Sequence, residues 1–228
     1  LPIDSSMRIA MVTGVWRRPE VFEMFAKGVK HLGVDVDVIV AGSEGSRSRR
    51  MVEAKGFTYV EVPNQPLAAK MNATTMLAEG YDYVICMGSD DILSPELMKH
   101  YLKYMNEGFD FIGIEDCYFY DLRTKRAAYW GGYRERYRQG VTAGIGRCIS
   151  KKLMEKWEWQ PWEVSDSKYL DNSMQGRISG KQVTLNCKEL GVYALDIKSV
   201  INMTPFKLWD NTSYIDAQII RDNFKYLF

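Results

Sequence analysis

Asp90 and Asp91 are the residues of this chain best suited to chemistry. They follow Tyr83-Val84-Ile85-Cys86-Met87, an apolar run that reads as a buried strand, so a strand end delivers both carboxylates to the edge of a sheet. Adjacent carboxylates repel, and a hard divalent cation such as Mn²⁺ or Mg²⁺ relieves the repulsion. Such a cation is commonly held by one or two carboxylates together with substrate phosphate oxygens. A turn ahead of the next helix also favours Asp. The place at the end of a central strand moves the reading towards a metal site.

The elements that position this pair alternate. Ile9 to Val12 reads as a strand, and Pro19 opens a helix whose Val21, Phe22, Phe25, Val29 and Leu32 recur at helical spacing until Gly33 stops it. Strands follow at 34–40, 57–62 and 83–87, with helices at about 48–55 and 66–79 between them. Ser94 caps the next helix, Pro95 fits its first position, and Gly108 ends it. This order predicts an α/β fold with a mostly parallel central sheet flanked by helices. Ligands then belong at the carboxyl ends of the strands, at 13–17, 42–44, 63–65 and 88–91. Beyond 115 the pattern weakens. A strand at 109–114, a hairpin of 117–120 with 127–130, a helix at 150–157, strands around Gly191 and a closing helix from Ser213 to Leu227 are expected.

Composition excludes several classes. The 228 residues suit one α/β domain, read here as residues 7–228. Leu1 to Ser6 precede Met7 and are taken as an expression remnant outside the fold. A formal net charge of +1 nominates no partner in bulk. No stretch approaches the roughly 20 apolar residues of a membrane span. Cys86, Cys117, Cys148 and Cys187 are widely spaced, without a C-x-x-C pair, which reads as reduced thiols in a cytoplasmic protein rather than a zinc site. Neither G-x-G-x-x-G nor the P-loop pattern is present.

From Met7 to about Ile178 the chain resembles a family 2 glycosyltransferase of the GT-A type. The resemblance rests on the first strand with Thr13-Gly14-Val15, the Lys70-x-Asn72 helix, and Tyr81-Asp82-Tyr83 leading into Gly88-Ser89-Asp90-Asp91-Ile92-Leu93-Ser94-Pro95. It implies a nucleotide-sugar half at about 7–115 and a mixed acceptor half with a C-terminal helix at about 116–228. Asp90 and Asp91 match the metal-binding end of the family's D-x-D element, while the position of its leading Asp holds Gly88. Ribose contact then falls to Ser89 or to a residue elsewhere. By position, Thr13, Val15 and Arg17 line the nucleotide, Ser43 or Glu44 lies near the base, Lys70 faces the diphosphate and Asn72 pins a neighbouring loop. A UDP-sugar is the family's common donor.

For the acceptor half, Gly140 to Cys148 and the helix after it resemble the family's glycine-rich segment, and Tyr169-Leu170-Asp171-Asn172 falls where a catalytic carboxylate is expected. Asp171 is the preferred base and Asp166 the reserve. One carboxylate is needed if transfer inverts the anomeric carbon, since a base must take the acceptor's hydroxyl proton. Trp130, Tyr133 and Arg138 belong to a basic, aromatic stretch suited to a lid over the donor or to an acceptor. A saccharide is the expected acceptor. The same stretch keeps a hydroxylated base in DNA open, although a net charge near zero does not favour a duplex binder. Trp157, Trp159 and Trp162 suit packing better than an acceptor platform. The rival readings are a nucleotidyltransferase, disfavoured by the single glycine after the first strand, and a non-catalytic nucleotide- or sugar-binding module.

Overall fold

The computed structural model describes residues 6–138, 140–166, 170–201 and 211–228, with only the backbone of Asp171 and Asn172. The first half holds strands Ile9–Gly14 (β1), Asp37–Gly42 (β2), Thr58–Glu61 (β3) and Tyr83–Cys86 (β4), joined by helices Pro19–Lys30 (α1), Ser46–Glu53 (α2) and Leu67–Leu77 (α3). Asp91–Leu93 (β5), Pro95–Asn106 (α4), Phe111–Ile114 (β6), Cys117–Asp121 (β7) and Arg126–Trp130 (β8) follow. The remainder comprises Arg147–Ser150 (β9), Lys151–Lys156 (α5), Leu170–Gln175 (α6), Gln182–Leu185 (β10), Cys187–Leu190 (α7), Ala194–Lys198 (β11), Thr212–Ile215 (β12) and Ala217–Asn223 (α8).

A seven-stranded sheet has the order β10-β6-β9-β4-β1-β2-β3. All its pairings are parallel except those of β9, which runs antiparallel to β4 and β6. Side-chain alternation divides the core across it. Ile9 and Met11 pack with Phe22, Phe25, Leu97 and Tyr101 on one face, whereas Ala10 and Val12 pack with Ala68, Met71 and Trp157 on the other. Helix α1 starts at its Pro and buries Phe22 and Phe25, whose rings stack at 5.8 Å with Phe57 edge-on to both. Each such ring contributes about 1.5–3 kcal/mol by leaving water. Ser94 Oγ accepts from Leu97 N–H at 3.2 Å, so the expected cap of α4 is formed.

A second, five-stranded sheet has the order β12-β8-β7-β11-β5. Its β11–β7 pairing is parallel and the rest are antiparallel, which makes this half mixed, as expected. Long-range partners overrode local signals in four places. Residues 91–93 form a strand because β11 pairs with them, and 147–150 form one because β9 fits between β4 and β6. Residues 187–190, read as strand, are helical: the Asp116 carboxylate accepts from Cys187 N–H at 2.5 Å and from Lys188 N–H at 2.9 Å. Residues 212–215, read as the start of a helix, pair with β8, and Asp216 caps the helix that follows. Among the described residues no helix is long and apolar enough to cross a membrane.

Candidate functional site

The carboxyl ends of β1, β2 and β4 meet at one edge, tied by hydrogen bonds from Val15 N–H to Ala41 O at 2.8 Å and from Met87 N–H to Val12 O at 3.0 Å. Arg17 adopts φ 52°, a left-handed conformation costing on the order of 1–3 kcal/mol for a non-glycine residue. Its N–H donates to Glu44 Oε2 at 2.8 Å, which holds the bend, and its guanidinium lies over the Trp16 ring at 4.6 Å. The bend turns the next side chain inwards. Arg18 therefore spans the site, Nη1 donating to Asp90 Oδ2 at 2.6 Å and Nη2 to Ser89 Oγ at 3.1 Å.

Asp91 folds back on its own turn, Oδ2 accepting from Gly88 N–H at 2.6 Å. A Cβ at position 88 would lie 2.7 Å from Asp90 Oδ1 and 2.7 Å from Asp91 Oδ2. A side chain at 88 would therefore displace the Asp90 and Asp91 carboxylates from their present positions. In the β5–β11 ladder Asp196 stands opposite Asp91. Lys198, two residues on and buried, donates to Asp196 Oδ2 at 2.5 Å, and Ile197 N–H donates to Asp90 O at 2.7 Å. Three carboxylates and two fixed cations gather in one place.

The electrostatics reflect that crowding. Burial holds the Asp91 carboxyl well above the usual range, with Asp90 and Asp196 adding to the effect and the Gly88 N–H and Lys198 opposing it. Burial likewise raises Asp196 to about 6 despite Lys198. Burial pulls the Lys198 ammonium down, but Asp196, Asp90 and Asp91 outweigh it, so its pKa is raised and it stays charged. Asp196 Oδ1 is buried without a hydrogen-bond partner, an open acceptor in the cluster. Among the described residues no three His, Cys, Asp or Glu side chains converge closely enough to hold a metal ion by themselves. The donors are all hard oxygens, which fits Mg²⁺ or Mn²⁺ if ligand oxygens complete the shell.

The other expected residues fall into three groups. Lys70 is buried, its Nζ donating to Val15 O at 2.8 Å and to Ser43 Oγ and Asn64 Oδ1, both at 3.0 Å. Burial lowers its pKa to about 8 against the pull of Glu44 and Glu61. It ties together the chain just after β1, β2 and β3. Thr13 is buried at the same edge with Oγ1 unpartnered, and Val15 is buried. Asn72 grips the backbone of Trp162, Nδ2 donating to its O at 2.8 Å and Oδ1 accepting from its N–H at 3.3 Å.

Thr75 Oγ1 donates to Trp159 O at 2.6 Å, and Ala68 N–H to Asp166 O at 2.8 Å, so the segment from Trp159 to Asp166 runs along α3. Asp166 thereby sits at the N-terminal end of α3, near the strand ends. Trp157, Trp159 and Trp162 are buried, in keeping with packing. Asp171 is the second residue of α6, and its side chain lies outside the described residues. Trp130 is buried at the end of β8 with Tyr133 edge-on at 4.8 Å, and Arg138 stacks over Tyr133 at 3.4 Å. Those three side chains pack on one another.

No protein-family model matches the chain, and no curated protein matches it in sequence. Solved structures do match in shape. Glucosyl-3-phosphoglycerate synthase from Mycobacterium tuberculosis, solved with Mn²⁺, uridine diphosphate and glucosyl-3-phosphoglycerate, gives a TM-score of 0.53 at 16% identity, over 83% of this chain and 76% of that one. The fold is GT-A-like. A mycobacterial protein gives 0.55 at 14% identity, over 90% of this chain and 70% of that one. The synthetase of CMP-2-keto-3-deoxy-manno-octonic acid, solved with CTP, gives 0.48 at 12% identity, over 88% and 92%. Within this GT-A-like fold, sequence reasoning missed Arg18, Asp196 and Lys198. A signal existed for the last two. Asp196 and Lys198, spaced i and i+2 in the apolar run Tyr193 to Val200, must share one strand face.

Proposed function

We propose that the protein transfers a sugar from a nucleoside-diphosphate sugar to an acceptor hydroxyl, with a divalent cation at Asp90 and Asp91. The observation that carries this reading is the cluster of Asp90, Asp91 and Asp196 with Arg18 and Lys198 at the strand ends of a GT-A-like sheet. Charged groups crowded out of water without a ligand are costly to the fold, and such costs mark functional sites. The neighbour solved with Mn²⁺ and uridine diphosphate supports a uridine donor as the first to test.

A bound Mn²⁺ or Mg²⁺ would offset the charge that grows on the diphosphate as it leaves. Asp90 and Asp91 would hold it, with Asp196 Oδ1 the open acceptor behind them. Ser89 and the edge formed by Thr13, Val15, Arg17, Ser43 and Glu44 would take the nucleoside, while Lys70 and Asn72 hold their surroundings in place. Asp171, with Asp166 in reserve, would take the acceptor's hydroxyl proton. The oxygen then bonds to the anomeric carbon as its bond to the diphosphate breaks, inverting that carbon. The acceptor is a saccharide in the first instance. The basic stretch with Trp130, Tyr133 and Arg138 is the reason to include a hydroxylated DNA base in an acceptor screen.

The test is a thermal-shift panel of nucleotide sugars with Mn²⁺ or Mg²⁺. Ligand at about 100 times its dissociation constant adds about 2.7 kcal/mol, raising Tm by about 5–10 °C for a chain of this size. Asp90→Ala should abolish that shift. A wild-type protein that responds to no nucleotide sugar with either metal overturns the reading.

A further inference from the structure

Arg18 is paired with Asp90 through Oδ2, a carboxylate oxygen for which a cation would compete. Its guanidinium bridges Asp90 Oδ2 at 2.6 Å and Ser89 Oγ at 3.1 Å, with both side chains of the ion pair mostly shielded, at 17% and 18% exposure. The anchor of the bridge is rigid. Arg18 caps α1, Phe22 N–H donates to its carbonyl at 2.9 Å, and Pro19 fixes the next residue. Arg17 ahead of it is bent at φ 52° and held by Glu44. The backbone of Arg18 is held on both sides, and its side chain alone makes the bridge.

Charge decides what can displace it. Counted with every group ionised, Asp90, Asp91 and Asp196 against Arg18 and Lys198 leave a formal charge of minus one (three negative, two positive). A divalent cation entering alone must compete with the guanidinium for Asp90 and turns the cluster to plus one. Arg18 then loses its charged partner and keeps only the Ser89 hydroxyl. A cation entering with the diphosphate of a nucleotide sugar, one negative charge per phosphate, restores minus one, and a free nucleoside diphosphate makes the cluster more negative still. It also offers Arg18 phosphate oxygens in the paired geometry that a guanidinium binds best.

We infer that Arg18 is a seat-holder: it keeps Asp90 paired while the site is empty, and passes to the diphosphate only when cation and nucleotide arrive together. The protein would therefore bind the metal poorly alone and well with a nucleotide. This inference rests on the donor reading above and names a positioning residue for it.

The test is Mn²⁺ binding followed by the electron paramagnetic resonance signal of free Mn²⁺, alone and with UDP, CDP, GDP or ADP. Arg18→Met should bind Mn²⁺ alone about tenfold more tightly than wild type, and the Mn²⁺–nucleotide pair about tenfold more weakly, each the scale of one charge-assisted contact. Arg18→Lys keeps the charge but cannot span Ser89 and Asp90. It should move both affinities in the same directions by about threefold, and serves if the methionine variant folds poorly. If wild type binds Mn²⁺ with one of the nucleotides while neither variant tightens Mn²⁺ alone, the seat-holder is wrong and the donor reading stands. If wild type binds none of the four with Mn²⁺, both fall.

Discussion

The acidic cluster and the tryptophan segment are each under strain, of different kinds. At the strand ends the cost is electrostatic: Asp91 is buried among like charges, and Arg18 and Lys198 offset only part of it. Along α3 the cost is in the backbone. Glu158 and Trp159 adopt φ of 52° and 59°, and neutral hydrogen bonds from Thr75 and Asn72 hold the chain there. Positive charge brought to the cluster would relieve the first kind of strain, because it offsets the crowded carboxylates. The second kind is already relieved within the protein. Strain that is left over, rather than strain as such, distinguishes the site from the scaffold.

The largest effect that would break this comparison is expected at Asp91. Asp91→Asn keeps an acceptor for the Gly88 N–H but removes a buried charge. It should weaken Mn²⁺–nucleotide binding by about 30-fold or more, while raising the stability of the ligand-free protein by about 1–2 kcal/mol. Calorimetry and urea denaturation read the two signs, and a variant less stable than wild type would contradict the account. Asn72→Ala should do the opposite. Leaving the Trp162 backbone groups unpaired costs about 2–3 kcal/mol in urea denaturation, with nucleotide affinity held within about twofold. Loss of nucleotide binding in a folded Asn72→Ala protein would move the tryptophan segment into the site.

A smaller effect is expected at Gly88, where Gly88→Ala forces its Cβ against the Asp90 and Asp91 carboxylates. A loss of about 1 kcal/mol in stability is anticipated. The smallest concerns Lys70, whose folded pKa of about 8 lies below its ordinary 10.5. Between those values the unfolded chain binds the extra proton, so the contribution of Lys70 to stability rises with pH across that window. The stability difference between wild type and Lys70→Met should therefore grow in favour of wild type from pH 8 to 10.5. A difference flat across that range would contradict the lowered pKa of Lys70.

The parts written locally were legible in the sequence. Strands β1 to β4, the cap of α4 at Ser94 and the placement of Asp90 and Asp91 follow from apolar runs and turn residues only a few positions apart. The acidic cluster was half legible. Asp196 reaches Asp91 through a ladder that closes over more than a hundred residues, and no local pattern encodes that pairing. Arg17 was expected to line the nucleotide. Its left-handed backbone, tied to Glu44, also precedes the Arg18 that reaches Asp90, and that bend is invisible in the run Trp16-Arg17-Arg18-Pro19. Residue types singled out the acidic pair, and long-range pairing brought Asp196 and Lys198 beside it.

The central claim, that Asp90 and its neighbours anchor a cation and a diphosphate together, is tested most directly by calorimetric titration of UDP into wild-type and Asp90→Asn protein, each with Mn²⁺ and with EDTA. The account predicts binding to wild type that depends on Mn²⁺, and a loss of about 100-fold in Asp90→Asn, comparable to removing two charge-assisted contacts. Equal affinity in the two proteins, or binding to wild type undiminished by EDTA, would contradict it.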